Sequence, residues 1–336
     1  MVKLSIIIPY YNANRWIGRM LDSLLDQDLS VDDYEIIVVD DGSTEKAEVL
    51  NLYAHQHSNI KIVRQENAGP GAARNTGLTL AMGEYVLFCD SDDFVAEKCL
   101  SLMYHVAHER RLDMLFFNVI KVNSSLRSRP AKRVSNQLEE FSSGQVFFSL
   151  PIEGNQRSMG VWQFIIANSL INEHHLRFPQ DMIMNEDACF LVDAILVSNK
   201  TARIDADVYY YIQYPQSLIH YSGKILQAEK FAKNILTFIQ KLDVILKDIA
   251  ITKDMPVGCL DNLIWLKNNK ASVLLWTGFQ NLPVISYNRL LSELEKSDSF
   301  PKPAGKYMLL KKVIMTPKVL RVMNVLFGIK RIIMKR

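Results

Sequence analysis

Gly83-Glu84-Tyr85-Val86-Leu87-Phe88-Cys89-Asp90-Ser91-Asp92-Asp93 is the stretch on which the fold of this chain turns. Tyr85–Cys89 is an unbroken apolar run, the signature of a strand buried on both faces, as in parallel sheets covered by helices. It opens directly onto three carboxylates in four residues. Two charges about 4 Å apart repel by about 4 kcal/mol at an effective dielectric near 20. Such a cluster persists most easily beside a cation, and hard oxygen ligands suit Mg²⁺ or Mn²⁺ completed by substrate phosphates. An acidic turn in solvent is the bland alternative, and the apolar strand before it counts against that.

Upstream, the same grammar repeats. Leu4–Ile8, Glu35–Val39 and Ile60–Val63 are short apolar runs, and Met114–Val119 follows as a fifth. Between them Trp16–Leu25, Ala47–His57, Ala72–Ala81 and Glu97–Glu109 read as helices; Ile17, Met20, Leu21 and Leu24 recur at helical spacing. Strands alternating with helices predict an α/β fold with a mostly parallel sheet and helices on both faces. Ligands of such sheets bind outside the carboxyl ends of the strands, so the residues that follow each strand are the ones to examine.

The first strand runs into Pro9-Tyr10-Tyr11-Asn12, which could wall a base-binding slot or be a hydrophobic turn. The second ends in Asp40-Asp41-Gly42-Ser43. Adjacent charges after an apolar strand need partners; one carboxylate can cap the next helix, and the other can accept from a base N–H or ribose hydroxyls. After the third comes Asn67-Ala68-Gly69-Pro70-Gly71-Ala72-Ala73-Arg74-Asn75-Thr76-Gly77. Its Arg74 stands where a dinucleotide fingerprint needs its third glycine, and it follows the wrong strand. A glycine loop leading into a helix that carries a forked cation suits phosphate oxygens instead. Farther on, Asn185-Glu186-Asp187 precedes a helix near Ala188–Val197. Such a pair often serves only the helix dipole, and it gains chemical meaning if it faces the crevice of Asp92. His174 and His175 are a rival proton acceptor, read more simply as an exposed pair at a turn.

These residues resemble the family 2 glycosyltransferases, the inverting group with the GT-A fold. The matching pieces are Ser5–Asn12, Val38–Ser43, Gly69–Gly77 and Gly83–Asp93, with Asn185-Glu186-Asp187, Tyr209-Tyr210-Tyr211 and Ser217-Leu218-Ile219 similar to members that build bacterial capsular, exopolysaccharide or lipopolysaccharide glycans. The resemblance implies a Rossmann-like nucleotide-diphospho-sugar transferase sheet. It implies that Asp41 contacts a base, often uracil, beside Pro9 and Tyr11, with Asp40 and Ser91 in the same donor site. It implies that Arg74 helps bind the donor, that Asp92 is the direct metal ligand with Asp90 nearer the ribose, and that Asp187 is the catalytic base with Glu186 its neighbour. A hexose or hexosamine would pass from a nucleotide-diphosphate sugar, such as a UDP-sugar, to a glycan or lipid-linked acceptor, with inversion and without a covalent intermediate. A sugar-phosphate nucleotidyltransferase is the second reading, though it usually carries a basic glycine loop after its first strand. A non-catalytic sugar-nucleotide-binding protein is the third, and the intact acidic residues weigh against it.

The rest of the 336 residues divides by composition. We expect a transferase domain over 1–222, with a nucleotide-binding half to about 122 and an acceptor half from about 123, whose 123–160 stretch is polar and irregular. A helical extension follows over 223–298. Residues 299–336 hold ten Lys or Arg and no acid, leaving 29 basic against 36 acidic residues before them. Apolar residues interleaved with basic ones there fit helices on an anionic membrane surface; packing on the acidic body or a homodimer contact stays open. No nucleic-acid partner is expected. Leu4–Ile8 is too short for a signal-peptide core or a span, and the scattered Cys89, Cys99, Cys189 and Cys259 read as reduced thiols. A cytoplasmic protein on the inner face of the cell membrane is the expectation.

Overall fold

The computed structural model describes residues 1–123, 133–150, 160–182, 184–214, 225–252 and 255–296. The basic stretch 299–336 and the Ser217-Leu218-Ile219 piece lie outside them. The chain divides into two compact units, Met1–Ser217 and Leu218–Arg336.

The first unit is built on one mixed sheet. Strands β1 (Leu4–Tyr10), β2 (Tyr34–Asp41), β3 (Ile60–Gln65) and β4 (Tyr85–Phe88) alternate with helices α1 (Asn14–Leu25), α2 (Glu48–Gln56) and α3 (Pro70–Leu80). They pair in parallel, in the order β3-β2-β1-β4, as continuous apolar runs separated by helices require. Ile6, Ile7, Ile8, Ile36, Ile37, Val38, Val86, Leu87 and Phe88 have no accessible surface. The second half brings in the antiparallel pairings that make this sheet more mixed than the mostly parallel one expected. After β5 (Phe94–Val95), α4 (Leu100–Arg110) and β6 (Met114–Asn123), the chain returns as β7 (Val134–Phe141), α5 (Gly144–Phe148), β8 (Phe164–Ala167), α6 (Asn168–Glu173), α7 (Glu186–Val197) and β9 (Thr201–Gln213). β8 lies antiparallel between β4 and β6, β9 runs parallel to β6, and β5 and β7 both pair antiparallel with β9.

The stretch read as irregular thus contains β7 and α5 among its described residues, the latter capped by the Ser143 hydroxyl, which accepts from the Val146 amide at 3.2 Å. β9 also begins earlier than the tyrosine run. In Thr201–Ala206 the buried Ala202, Ile204 and Ala206 alternate with Arg203 and Asp205, a half-buried strand pattern.

Packing of α3 on the sheet depends on Gly77. A Cβ there would run into the side chain of Ile7, so a residue without one lets helix and strand approach.

The second unit holds α8 (Ile225–Thr252), α9 (Val257–Asn281) and α10 (Val284–Lys296). Ile235, Ile239, Ala271, Leu274, Tyr287, Leu291 and Leu294 form a core of its own. No helix among the described residues is long and apolar enough to cross a membrane.

Candidate active site

The carboxyl ends of β1, β2 and β4 converge, and each post-strand motif makes its own contacts there. Asn12, at φ 48°, ties the turn after β1 to the turn after β2: its amide donates to Ser43 Oγ at 2.9 Å, and its side-chain oxygen accepts from the Thr44 and Glu45 amides. Beside it Pro9 is half-buried and Tyr11 is exposed, while Tyr10 turns inward to donate to Asn14 Oδ1.

The two carboxylates after β2 divide their work. Asp40 accepts from the Ser43 amide and from Arg64 Nη1 at 2.6 Å. Asp41, nearly buried, accepts from Gln65 Nε2 and from the amides of Ala68 and Gly69, all at 2.8 Å. It therefore shapes the glycine loop, where Gly69 at φ 91° occupies a region that side chains disfavour.

Four consecutive residues of α3 then each perform a distinct task. Arg74 donates through Nη1 to Glu186 Oε1 and through Nη2 to Asp90 Oδ1, both at 2.8 Å. Asn75 exchanges two hydrogen bonds with the Phe178 backbone. The Thr76 hydroxyl donates to Gln65 Oε1 at 2.6 Å, fixing the amide that holds Asp41. Gly77 permits the approach to Ile7 described above. Arg74 also lies 5.4 Å over the Phe178 ring, which stacks on Phe190 at 4.2 Å. Arg74 and Glu186 are 5% and 6% exposed, so this is a buried ion pair in which loss of one partner strands the other.

The acidic trio is not uniform. Asp93 has no accessible surface; it accepts from the Tyr209 hydroxyl at 2.8 Å and from the Ile212 amide at 2.7 Å. Burial, then Asp92 and Asp90, push its carboxyl well above the usual range. The Tyr209 oxygen in turn accepts from the Asp90 amide. Asp93 thus fastens β9 to the turn. Asp90, Ser91 and Asp92 are half-buried. Burial, and then Asp90, raise the Asp92 carboxyl to about 6. A dication beside it would reverse that shift, so the donor set suits a hard cation. Among the described residues no group of three or more His, Cys, Asp and Glu could hold an ion by itself.

Glu186 and Asp187 open α7 behind Asn185, which sits at φ 65°. Asp187 is half-buried and accepts from the Ala188 amide. Its charge acts on Arg74 and, with those of Asp93, Asp90 and Asp92, on the Tyr211 phenol, which burial and these acids raise to about 12. The structure therefore brings the Glu186-Asp187 turn and the acidic turn after β4 to either side of one guanidinium, that of Arg74. His174 and His175 are exposed at the end of α6. Arg19, Arg64, Gln65 and Tyr214 make site contacts that no sequence motif singled out; Arg19 stood on the polar face of α1 among other charges, where nothing distinguished it.

Residues 5–168 match the family described as Glycosyl transferase family 2. The poly(ribitol-phosphate) beta-glucosyltransferase of Bacillus spizizenii is 30% identical over 249 residues, which cover 72% of this chain and 38% of that protein. The uncharacterized glycosyltransferase EpsJ of Bacillus subtilis is 30% identical over 68% of this chain and 67% of its own length. Among solved structures, residues 1–349 of Staphylococcus aureus TarS in complex with UDP-GlcNAc superpose with a TM-score of 0.67 at 21% identity, covering 97% of this chain and 91% of that one. This chain spans well under half the length of the first of these relatives.

Proposed function

The chain belongs to glycosyl transferase family 2 and is a glycosyltransferase of GT-A fold, and from that premise we propose that it transfers a hexose or hexosamine from a UDP-sugar to a glycan or lipid-linked hydroxyl, with inversion, in surface-polysaccharide synthesis. The observation that carries the reading is Arg74, whose two nitrogens join Asp90 of the acidic turn to Glu186 beside Asp187. A site that releases a diphosphate on one side and takes up a proton on the other needs those two turns together. TarS, whose fold this chain shares, was solved with UDP and with UDP-GlcNAc, and the curated relatives include enzymes of poly(ribitol-phosphate) glycosylation.

The roles follow from chemistry and placement. Asp92, with Asp90, would hold Mg²⁺ or Mn²⁺, whose charge would offset that of the departing diphosphate. Phosphate oxygens and water would complete its shell. Asp41 has three of its about four lone-pair sites engaged, one by the Gln65 side chain and two by the Ala68 and Gly69 amides of the glycine loop, leaving one for a base N–H beside Pro9 and Tyr11. Arg74 would add positive charge on the phosphate side of the site, next to Asp90. Asp187 takes the proton of the acceptor hydroxyl as its oxygen bonds the anomeric carbon and the anomeric C–O bond to phosphate breaks. A base so placed contributes typically about 10²–10⁴-fold.

Purified protein, Mn²⁺ and a panel of nucleotide sugars test this. Release of nucleoside diphosphate with product of inverted anomeric configuration is expected, whereas pyrophosphate would mark a nucleotidyltransferase. Asp187→Asn should bind donor as the wild type does, by calorimetry, while turnover falls at least about 100-fold. Undiminished turnover in that variant removes the base assignment.

A further inference from the structure

α1 runs beside the segment that follows the acidic turn, and Arg19 and Ser23 of the helix, with Gln27 two residues past its end, grip that segment's backbone. Gln27 donates to the Ala96 carbonyl at 2.7 Å and accepts from the Cys99 amide at 2.8 Å. Ser23 Oγ accepts from the Val95 amide at 3.1 Å. Arg19, one turn earlier, donates through Nη2 to the Asp92 carbonyl. The same nitrogen donates to the Tyr214 hydroxyl at 2.8 Å, and that hydroxyl reaches the Asp92 carbonyl at 3.4 Å. Trp16 packs edge-on against Tyr214 at 5.6 Å, and the guanidinium lies 5.7 Å over Phe94. Ser23 and Gln27 already tie helix to segment through three hydrogen bonds. Arg19 adds a cation whose Nε is buried without a hydrogen-bond partner, a cost that packing alone does not require.

Building on the assignment of Asp92 as an ion ligand, we infer that Arg19, braced by Tyr214, is a positioning residue that fixes the Asp92 backbone and thereby the direction in which its carboxylate meets a divalent cation. Two effects of Arg19 on the ion oppose each other. By charge alone a guanidinium beside the site repels a dication, so removing it would tighten binding. By positioning, removing it loosens the ligand and weakens binding. The sign of the change separates them.

The experiment measures Mn²⁺ binding to the full chain with saturating UDP, from the electron paramagnetic resonance signal of free Mn²⁺, with UDP affinity without metal and the unfolding temperature alongside. Loss of groups that orient metal ligands typically weakens affinity roughly 10–100-fold. Arg19→Met should raise the Mn²⁺ dissociation constant at least roughly tenfold and leave metal-free UDP affinity near that of the wild type. Arg19→Lys, which reaches one partner but not both, and Tyr214→Phe should raise it by less. Should Arg19→Met fail to fold, Tyr214→Phe carries the same comparison. Mn²⁺ binding by these variants as tight as or tighter than the wild type overturns the inference, whatever their unfolding temperatures, provided Asp92→Asn has lost it. Wild-type Mn²⁺ binding by Asp92→Asn would take away the ion assignment and this inference together.

Discussion

At the scale of single residues, the buried charges set the largest effects. Arg74 holds the half-buried Asp90 and the buried Glu186, and breaking the buried Arg74–Glu186 pair from one side costs about 3–5 kcal/mol. Arg74→Met should therefore lower unfolding free energy by about that amount in urea titrations, with Glu186→Gln costing less because it keeps an acceptor for Nη1. Loss below 1 kcal/mol would mean that the pair contributes little to the folded state. Glu35 is the other case. Burial works to raise its carboxyl, but Lys61, Ser5 and the Met82 amide hydrogen-bond the charged form and bring it below the ordinary value. A depressed native value stabilises the fold above the unfolded value near 4.3 and ceases to do so as pH falls through the native one. The stability gap between wild type and Glu35→Gln should thus be about 1–3 kcal/mol at pH 7 and close as pH drops below about 4.3; a gap that is flat with pH would refute it. Of these residues, Arg74 was legible as a cation on a helix start, because its neighbours in sequence are glycines and alanines. Its partners were not, since Glu186 lies 112 positions away and no local pattern encodes that pairing.

At the scale of elements, the apolar runs of β1 to β4 were legible because strands buried on both faces need no alternation to announce them. β7 was not: among the described residues it pairs with β9 alone and sits at the margin of the sheet, so its sequence, Val-Ser-Asn-Gln-Leu-Glu-Glu-Phe, carries few apolar residues. Nor was the antiparallel insertion of β8, a matter of tertiary order that a four-residue run cannot carry. Within α3 the prediction concerns Gly77. Alanine improves a helix interior by about 1 kcal/mol, but its methyl would press on Ile7, and overpacking a core costs typically about 1–3 kcal/mol. Gly77→Ala should therefore be destabilised on balance. In Ile7→Ala the same methyl meets a cavity, so the double variant should be more stable than the sum of the single losses implies. Additivity within about 0.5 kcal/mol would show that helix and strand are not in the tight contact seen here.

At the scale of the molecule, charge is divided unevenly along the chain. Before position 299 acids outnumber bases by seven, and after it ten bases stand without an acid. Two destinations for such a tail obey the same electrostatics: the chain's own acidic body, or an anionic bilayer, where each Lys or Arg near the surface adds about 1 kcal/mol. We favour the bilayer, because the tail intersperses its charges with Leu, Val, Ile, Met and Phe, a pattern that suits an interface where basic groups meet headgroups and apolar groups enter the acyl boundary. A lipid-linked acceptor would make that location useful, by raising the local concentration of the second substrate. Full chain and a truncation at Phe300 should then part company in co-sedimentation with vesicles rich in anionic lipid: the full chain pellets, the truncation does not, and the difference shrinks with salt because surface attraction falls off within a Debye length of about 10 Å at 0.1 M. If the tail instead docks on the body, both forms pellet equally weakly and the truncation unfolds at a lower temperature. The two destinations predict opposite patterns in the two measurements, so one pair of proteins is enough to choose between them.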